Sequence, residues 1–203
     1  MRTWPAPAAL PKKPELVFVL AGRENRKRFA LQLFEQGFAP GILLSVARFE
    51  IRRFSKMTLP APLDLLAMAS EIPAPQRHFF VEFIGSEVYV TRILPRRLGT
   101  LTEIEALGCW LAKHPEVRSV VCITSATHLC RVRMCCRAVL PPAVSVTLIA
   151  APEEQPRTSE RDSFASGRSF VRWAKELCKI VLYFMVFGLR WFGIQRKTEP
   201  SEP

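Results

Sequence analysis

Ser125, His128 and Arg131 follow one another at three-residue spacing where an apolar run gives way to a helical pattern. A hydroxyl, an imidazole and a guanidinium placed so are suited to an anion such as a phosphate. The guanidinium binds two oxygens at once and the hydroxyl donates a third hydrogen bond. The imidazole titrates near neutrality, which makes His128 the candidate for proton transfer. The same three residues also have a structural explanation. A serine ahead of a helix caps a first-turn amide, and a histidine and arginine three apart share one helix face. Thr100, Thr102 and Glu103 carry the same two readings, because Thr100 and Glu103 have the spacing of a capping box. Arg23, Arg26 and Arg48 stand just after two further apolar runs. They either face a ligand there or, like Arg26, Lys27 and Arg28 taken together, form a solvated helix face.

The elements that must position these residues alternate in kind. Glu15 to Ala21, Gly41 to Val46, Ser119 to Thr124 and Val144 to Ala150 are short apolar runs that read as buried strands. Asn25 to Gln36 has Phe29, Ala30, Leu33 and Phe34 at helical spacing, with Gly37 as a stop. Arg48 to Lys56 and Asp64 to Ser70 read as helices, as do Thr100 to Lys113 and His128 to Leu140. Phe79 to Ile84 and Glu87 to Ile93 read as two more strands. Strand alternating with helix implies parallel βαβ units. The expected fold is therefore α/β, a three-layer Rossmann-like arrangement around a mainly parallel sheet, plus a C-terminal apolar helix. In such sheets ligands bind beyond the carboxyl ends of the strands. The loops there are Ala21 to Arg28, Ser45 to Arg53, Arg96 to Glu103 and Thr124 to Arg131, and each holds at least one arginine.

The expected organisation is a Pro-rich basic tail over 1–13, the α/β domain over 14–152 and a polar linker over 153–167. A helix over 168–194 and a short tail over 195–203 complete it. The helix is amphipathic at first and then uncharged from Ile180 to Leu189. Ten such residues span only about 15 Å, half of a bilayer core. The helix suits a membrane surface, with Trp173 and Trp191 near its ends, or packing back on the domain or on a second copy of the chain. The N-terminus lacks the apolar core of a signal peptide, and the expected location is cytoplasmic, peripheral at the inner membrane.

The charge balance is +11, from 29 Lys and Arg against 18 Asp and Glu. Such a surplus points to an anionic partner, namely a phosphate ligand, an anionic membrane or nucleic acid. No nucleic-acid motif accompanies the charge, which counts against the last. Only Asp64 and Asp162 are aspartates, and the carboxylates do not cluster as two-metal hydrolases require. The six cysteines have no paired Cys-x-x-Cys spacing, so no metal site is expected.

Three segments resemble the YdcF/SanA/ElyC-like family, bacterial domains of largely unknown function. The first is Val17-Phe-Val-Leu-Ala-Gly22 with Arg26, Ala30, Leu33, Gly37 and Pro40, followed by Ile42-Leu-Leu-Ser45. The second is Gly99-Thr-Leu-Thr-Glu103. The third, the most specific, is Thr124-Ser-Ala-Thr-His128-Leu-Cys-Arg131, which is similar to a Thr-Ser-x-x-His-x-x-Arg motif. The resemblance covers about Glu15 to Ala150. It implies a Rossmann-like fold, a role in envelope and peptidoglycan biogenesis with a phosphorylated small molecule or lipid carrier as partner, and a nucleotide or S-adenosylmethionine as candidate cofactor. The pocket it implies comprises Gly22, Arg26, Ser45, Thr100, Glu103, Ser125, His128 and Arg131. The chain departs from the pattern where the family has further glycines: Arg23 follows Gly22, and Val46 and Ala47 follow Ser45. Glycine lets backbone approach a phosphate closely. Arg23, Arg48 and Arg52 are the side chains available to substitute for that backbone cradle.

Overall fold

Leu16–Val19 is an unbroken apolar run buried on both faces, as the central strand of a covered sheet must be. It forms β1 of a computed structural model that describes residues 13–94, 98–152, 178–183 and 185. The chain separates into two units, residues 1–155 and 156–203. In the first unit β1 is followed by α1 (Glu24–Glu35), β2 (Gly41–Ala47), α2 (Ile51–Phe54), α3 (Leu65–Ser70), β3 (His78–Ile84) and β4 (Glu87–Arg92). Then come α4 (Gly99–Leu111), β5 (Ser119–Thr124), α5 (Leu129–Val139) and β6 (Ser145–Ala150).

The six strands form one sheet in the order β4-β3-β2-β1-β5-β6. The β1–β2, β1–β5 and β5–β6 pairs are parallel. The β2–β3 and β3–β4 pairs are antiparallel, so the sheet is mixed but mostly parallel, with three parallel pairs of five. Connection length accounts for the β3–β4 reversal. Ile84 pairs with Glu87 across a two-residue loop whose first residue, Gly85, has φ +59°. So short a loop can only reverse the chain, whereas a parallel partner needs a crossover of a dozen or more residues.

Side chains alternate across the sheet with a period of two. Val17, Val19, Ile42, Leu44, Val46, Val81, Phe83, Val121 and Ile123 point to one face. There they pack on Phe29, Ala30 and Leu33 of α1, Ile51 and Phe54 of α2, and Leu65 and Ala69 of α3. Leu43 and Cys122 are buried toward the other face, as is Phe18, which meets Phe80 edge-on at 5.5 Å. The helices α4 and α5 cover that side, through Ile104, Leu107, Val132 and Cys135. The result is helix, sheet, helix, in keeping with a Rossmann-like arrangement.

Two elements differ from their expected form. The basic segment after β2 makes only the single turn α2, because its backbone first folds over the Glu50 carboxylate, which accepts the Ala47 amide at 3.0 Å. The helix at Gly99 begins with Leu98 as its capping residue and without a side-chain cap. Thr100 lies inside its first turn and Glu103 points to another element, so the two do not form a capping box. Asp64, in contrast, caps α3 by accepting the Ala67 amide at 2.9 Å.

In the second unit, residues 178–183 and 185 are helical. Among the described residues no helix is long and apolar enough to cross a membrane. The N-terminal tail up to residue 12, the linker over 153–167, Trp173, Trp191 and the end tail lie outside the described residues.

Candidate site at the carboxyl edge of the sheet

The chain leaves β1 at Val19 and β2 at Ala47 on the same edge, and β5 delivers Ser125 to that edge. Connections from β1 run to β2 on one side, while β5 pairs on the other, so the strand order reverses between β1 and β5. A crevice at such a reversal is where open α/β sheets place their ligands. Arg26, in the first turn of α1, spans it. Its Nη1 donates to the Ala21 carbonyl at 2.7 Å and its Nη2 to Ser125 Oγ at 2.8 Å. Arg26 is 4% exposed, and its Nε has no hydrogen-bond partner. Burial pulls its pKa below the usual arginine range, with the carboxylates of Glu103 and Glu50 opposing that shift. The Ser125 hydroxyl therefore serves Arg26 and does not cap the following helix.

Gly22 has φ +147°, which favours glycine, and a Cβ there would lie 2.6 Å from Arg26 Nη1. The Arg26 guanidinium thus fills the space above the loop that a glycine-rich turn leaves to a phosphate. Gly22→Ala is expected to cost about 1–3 kcal/mol, from backbone strain and the displacement of Arg26. A lowered urea midpoint at unchanged slope would show it.

Beneath the loop lies a closed polar layer. Glu50 Oε1 accepts both the Gly22 amide at 2.8 Å and Lys27 Nζ at 2.6 Å. Lys27 and Glu50 form an ion pair with side-chain exposures of 2% and 5%. Burial draws the Lys27 ammonium below the ordinary lysine range and Glu50 draws it back. The expected solvated face is therefore confined to Arg28, which is exposed and pairs with Glu24 one turn earlier. Arg26 and Lys27 point inward.

On the other side of the loop, Glu103 of α4 accepts the Ala21 amide at 2.7 Å. Ser45 Oγ lies 2.8 Å from His78 Nε2, and the same nitrogen lies 3.9 Å from Glu103 Oε1. Burial raises the Glu103 carboxyl to about 7, against the hydrogen bonds from Ser45 and Ala21 that lower it. Burial, followed by the charge of Lys27, lowers His78 to about 4. A serine, a histidine and a glutamate have the composition of a nucleophilic triad but not its geometry. A triad places the nucleophile and the carboxylate on opposite ring nitrogens, and here both stand at Nε2. All three side chains are also buried. They lock the ends of β1, β2, β3 and α4 together.

The remaining sequence candidates divide into two groups. Arg131 of α5 is buried and donates from Nε to Thr100 Oγ1 at 3.2 Å. It is close enough to Arg26 to depress its pKa. His128 is half-buried and opens α5, its amide donating to the Ser125 carbonyl at 2.9 Å. The structure thus gathers Gly22, Arg26, Ser45, Glu103 and Ser125, with Thr100, His128 and Arg131 on the α4–α5 side. Arg23 and Arg48 are exposed at the loop rims. Thr102 is turned away: its hydroxyl donates to the Leu98 carbonyl at 3.1 Å and its side chain lines a separate groove.

Glu50, Lys27 and His78 are the edge residues that the motifs did not identify. Glu50 sat within a segment read as a basic helix. Its signal was being the single acid among Arg48, Arg52, Arg53 and Lys56. His78 stands 33 residues from Ser45, and no local pattern links them.

Comparison of the chain with protein-family models, with curated proteins and with solved structures returned no match.

Proposed function

We propose that this is an α/β domain that binds a phosphorylated or nucleotide-like anion at the crevice between β1 and β5. The observation that carries the reading is the charge buried at that edge. Arg26, Lys27 and Arg131 are buried there together with the carboxyls of Glu50 and Glu103. Glu50 is engaged by Lys27, and Glu103, lifted to about 7, gives up much of its negative charge at neutral pH. Arg26 hydrogen-bonds only neutral partners, a carbonyl and a hydroxyl, and the Glu103 and Glu50 carboxylates act on it only through space. A buried cation without a paired anion is costly, and a phosphate at the crevice would supply the missing charge. Arg26 Nη2, Ser125 Oγ and the Arg131 guanidinium are the donors for it. Exposed Arg23 and Arg48 would draw it in from solvent. If the bound ligand reacts, His128 is the side chain to move a proton.

The resemblance to the YdcF/SanA/ElyC-like motifs supports the same edge and suggests work in bacterial envelope biogenesis at the inner membrane, on a lipid-linked phosphate. A panel of inorganic phosphate, nucleotides, S-adenosylmethionine and a polyprenyl phosphate tests the reading. Arg26→Ala and Arg131→Ala are each expected to weaken binding of the phosphorylated ligand by about tenfold or more, as loss of a charge-assisted hydrogen bond does. Unchanged binding in both variants would remove the site assignment.

A further inference from the structure

A groove lies on the α4 face of the β3–β4 hairpin. It measures about 660 Å³, within the range of small-molecule pockets. Its walls include Phe80 of β3, Tyr89 of β4 and Trp110 of α4. Glu82, which is 8% exposed, is among its lining residues. One Glu82 oxygen, Oε2, accepts the Trp110 indole N–H at 3.0 Å. The other, Oε1, is buried without a hydrogen-bond partner. Arg92 and Lys113 line the same groove, yet neither forms an ion pair with Glu82. A buried carboxylate oxygen lacking a donor costs free energy, and a charged N–H donor is its strongest complement. One face of Trp110 is taken by His114, stacked on it at 3.9 Å, while the Tyr89 ring beside the groove attracts the same kind of group. Tyr89 is half exposed, so that wall is open to an incoming molecule.

We propose that this groove binds a small organic cation, an ammonium group carrying an aromatic or apolar body. The ammonium is held by the Glu82 carboxylate, and the body lies along Tyr89 and Trp110. This site is distinct in ligand charge and in residues from the anion crevice, so either assignment can fail without the other.

The test follows the Trp110 indole N–H signal of the full chain by NMR, assigned through Trp110→Phe. The probes are 2-phenylethylammonium, 2-phenylethanol and phenylacetate. Saturable shifts with the ammonium are expected, with the alcohol and the carboxylate at least about tenfold weaker. Glu82→Gln keeps the acceptor for Trp110 but loses the charge, and is expected to weaken ammonium binding by about tenfold. Tyr89→Ala, at an exposed position that the core does not need, is expected to weaken it without unfolding the chain. This variant carries the test should Glu82→Gln fail to fold. Equal binding of ammonium and alcohol, ammonium binding unaffected by the folded variants, or no saturable shift with any probe would overturn the proposal.

Discussion

Replacing Glu50 with alanine is expected to destabilise the first unit by about 3–5 kcal/mol, the range for breaking a buried ion pair from one side. The mechanism is loss of compensation. Lys27 is 2% exposed and would keep a charge with no counter-ion. The Gly22 and Ala47 amides would lose their acceptor in the same step. Burying unpaired groups costs more than the pair itself ever contributed. A double replacement, Lys27→Met with Glu50→Gln, is therefore expected to lose less than Glu50→Ala alone, because it removes the charge and leaves an amide oxygen for the loop. Urea unfolding of the two proteins checks this. A Glu50→Ala protein within about 1 kcal/mol of the parent would mean that the ion pair does not hold the loop.

Glu103→Gln is expected to change how stability depends on pH. The folded chain holds the Glu103 proton up to about pH 7, against 4.5 for the ordinary carboxyl. Stability from this group is thus full below pH 4.5 and drains as pH rises through 7. His78 acts oppositely: with a folded value of about 4 against 6.5, its contribution is full above pH 6.5 and is lost as pH falls through 4. The two trends offset one another between about pH 4.5 and 6.5 in the parent protein. Glutamine cannot titrate, so the variant keeps only the rise due to His78. Relative to the parent it should gain about 3 kcal/mol between pH 4.5 and 7, the free energy of that pKa difference. Unfolding free energies measured side by side at several pH values report the difference directly. A difference that stays flat with pH would show that Glu103 is ionised in the fold as it is in water.

The strands were legible because they are runs of Val, Ile, Leu and Phe bounded by Gly and Pro, and burial on both faces writes itself into composition. Helix α4 was legible as a helix, but its first turn was not. Thr100 and Glu103 match a capping box in spacing, yet Glu103 does more by accepting the Ala21 amide across 82 residues. Ser125 followed the same rule, since its best partner was Arg26, not the helix it precedes. Local rules describe local bonds, and this edge is held by bonds between segments far apart in sequence. The antiparallel β3–β4 hairpin was hidden for a related reason: Phe79 to Ile84 is nearly as apolar as a parallel strand, and only the short Gly85-Ser86 loop betrays the reversal.

The β1–β5 pairing has a consequence for the order in which the chain folds. Leu16 pairs with Val120, about a hundred residues on, whereas β2, β3 and β4 pair with near neighbours in sequence. Contacts that close short loops lose less entropy and form earlier. The first four strands can therefore meet before β5 arrives, and until it does Arg26 has no Ser125 to reach. The crevice comes into being only with the final long-range closure. A chain stalled halfway would hold most of its sheet and none of its switch-point geometry.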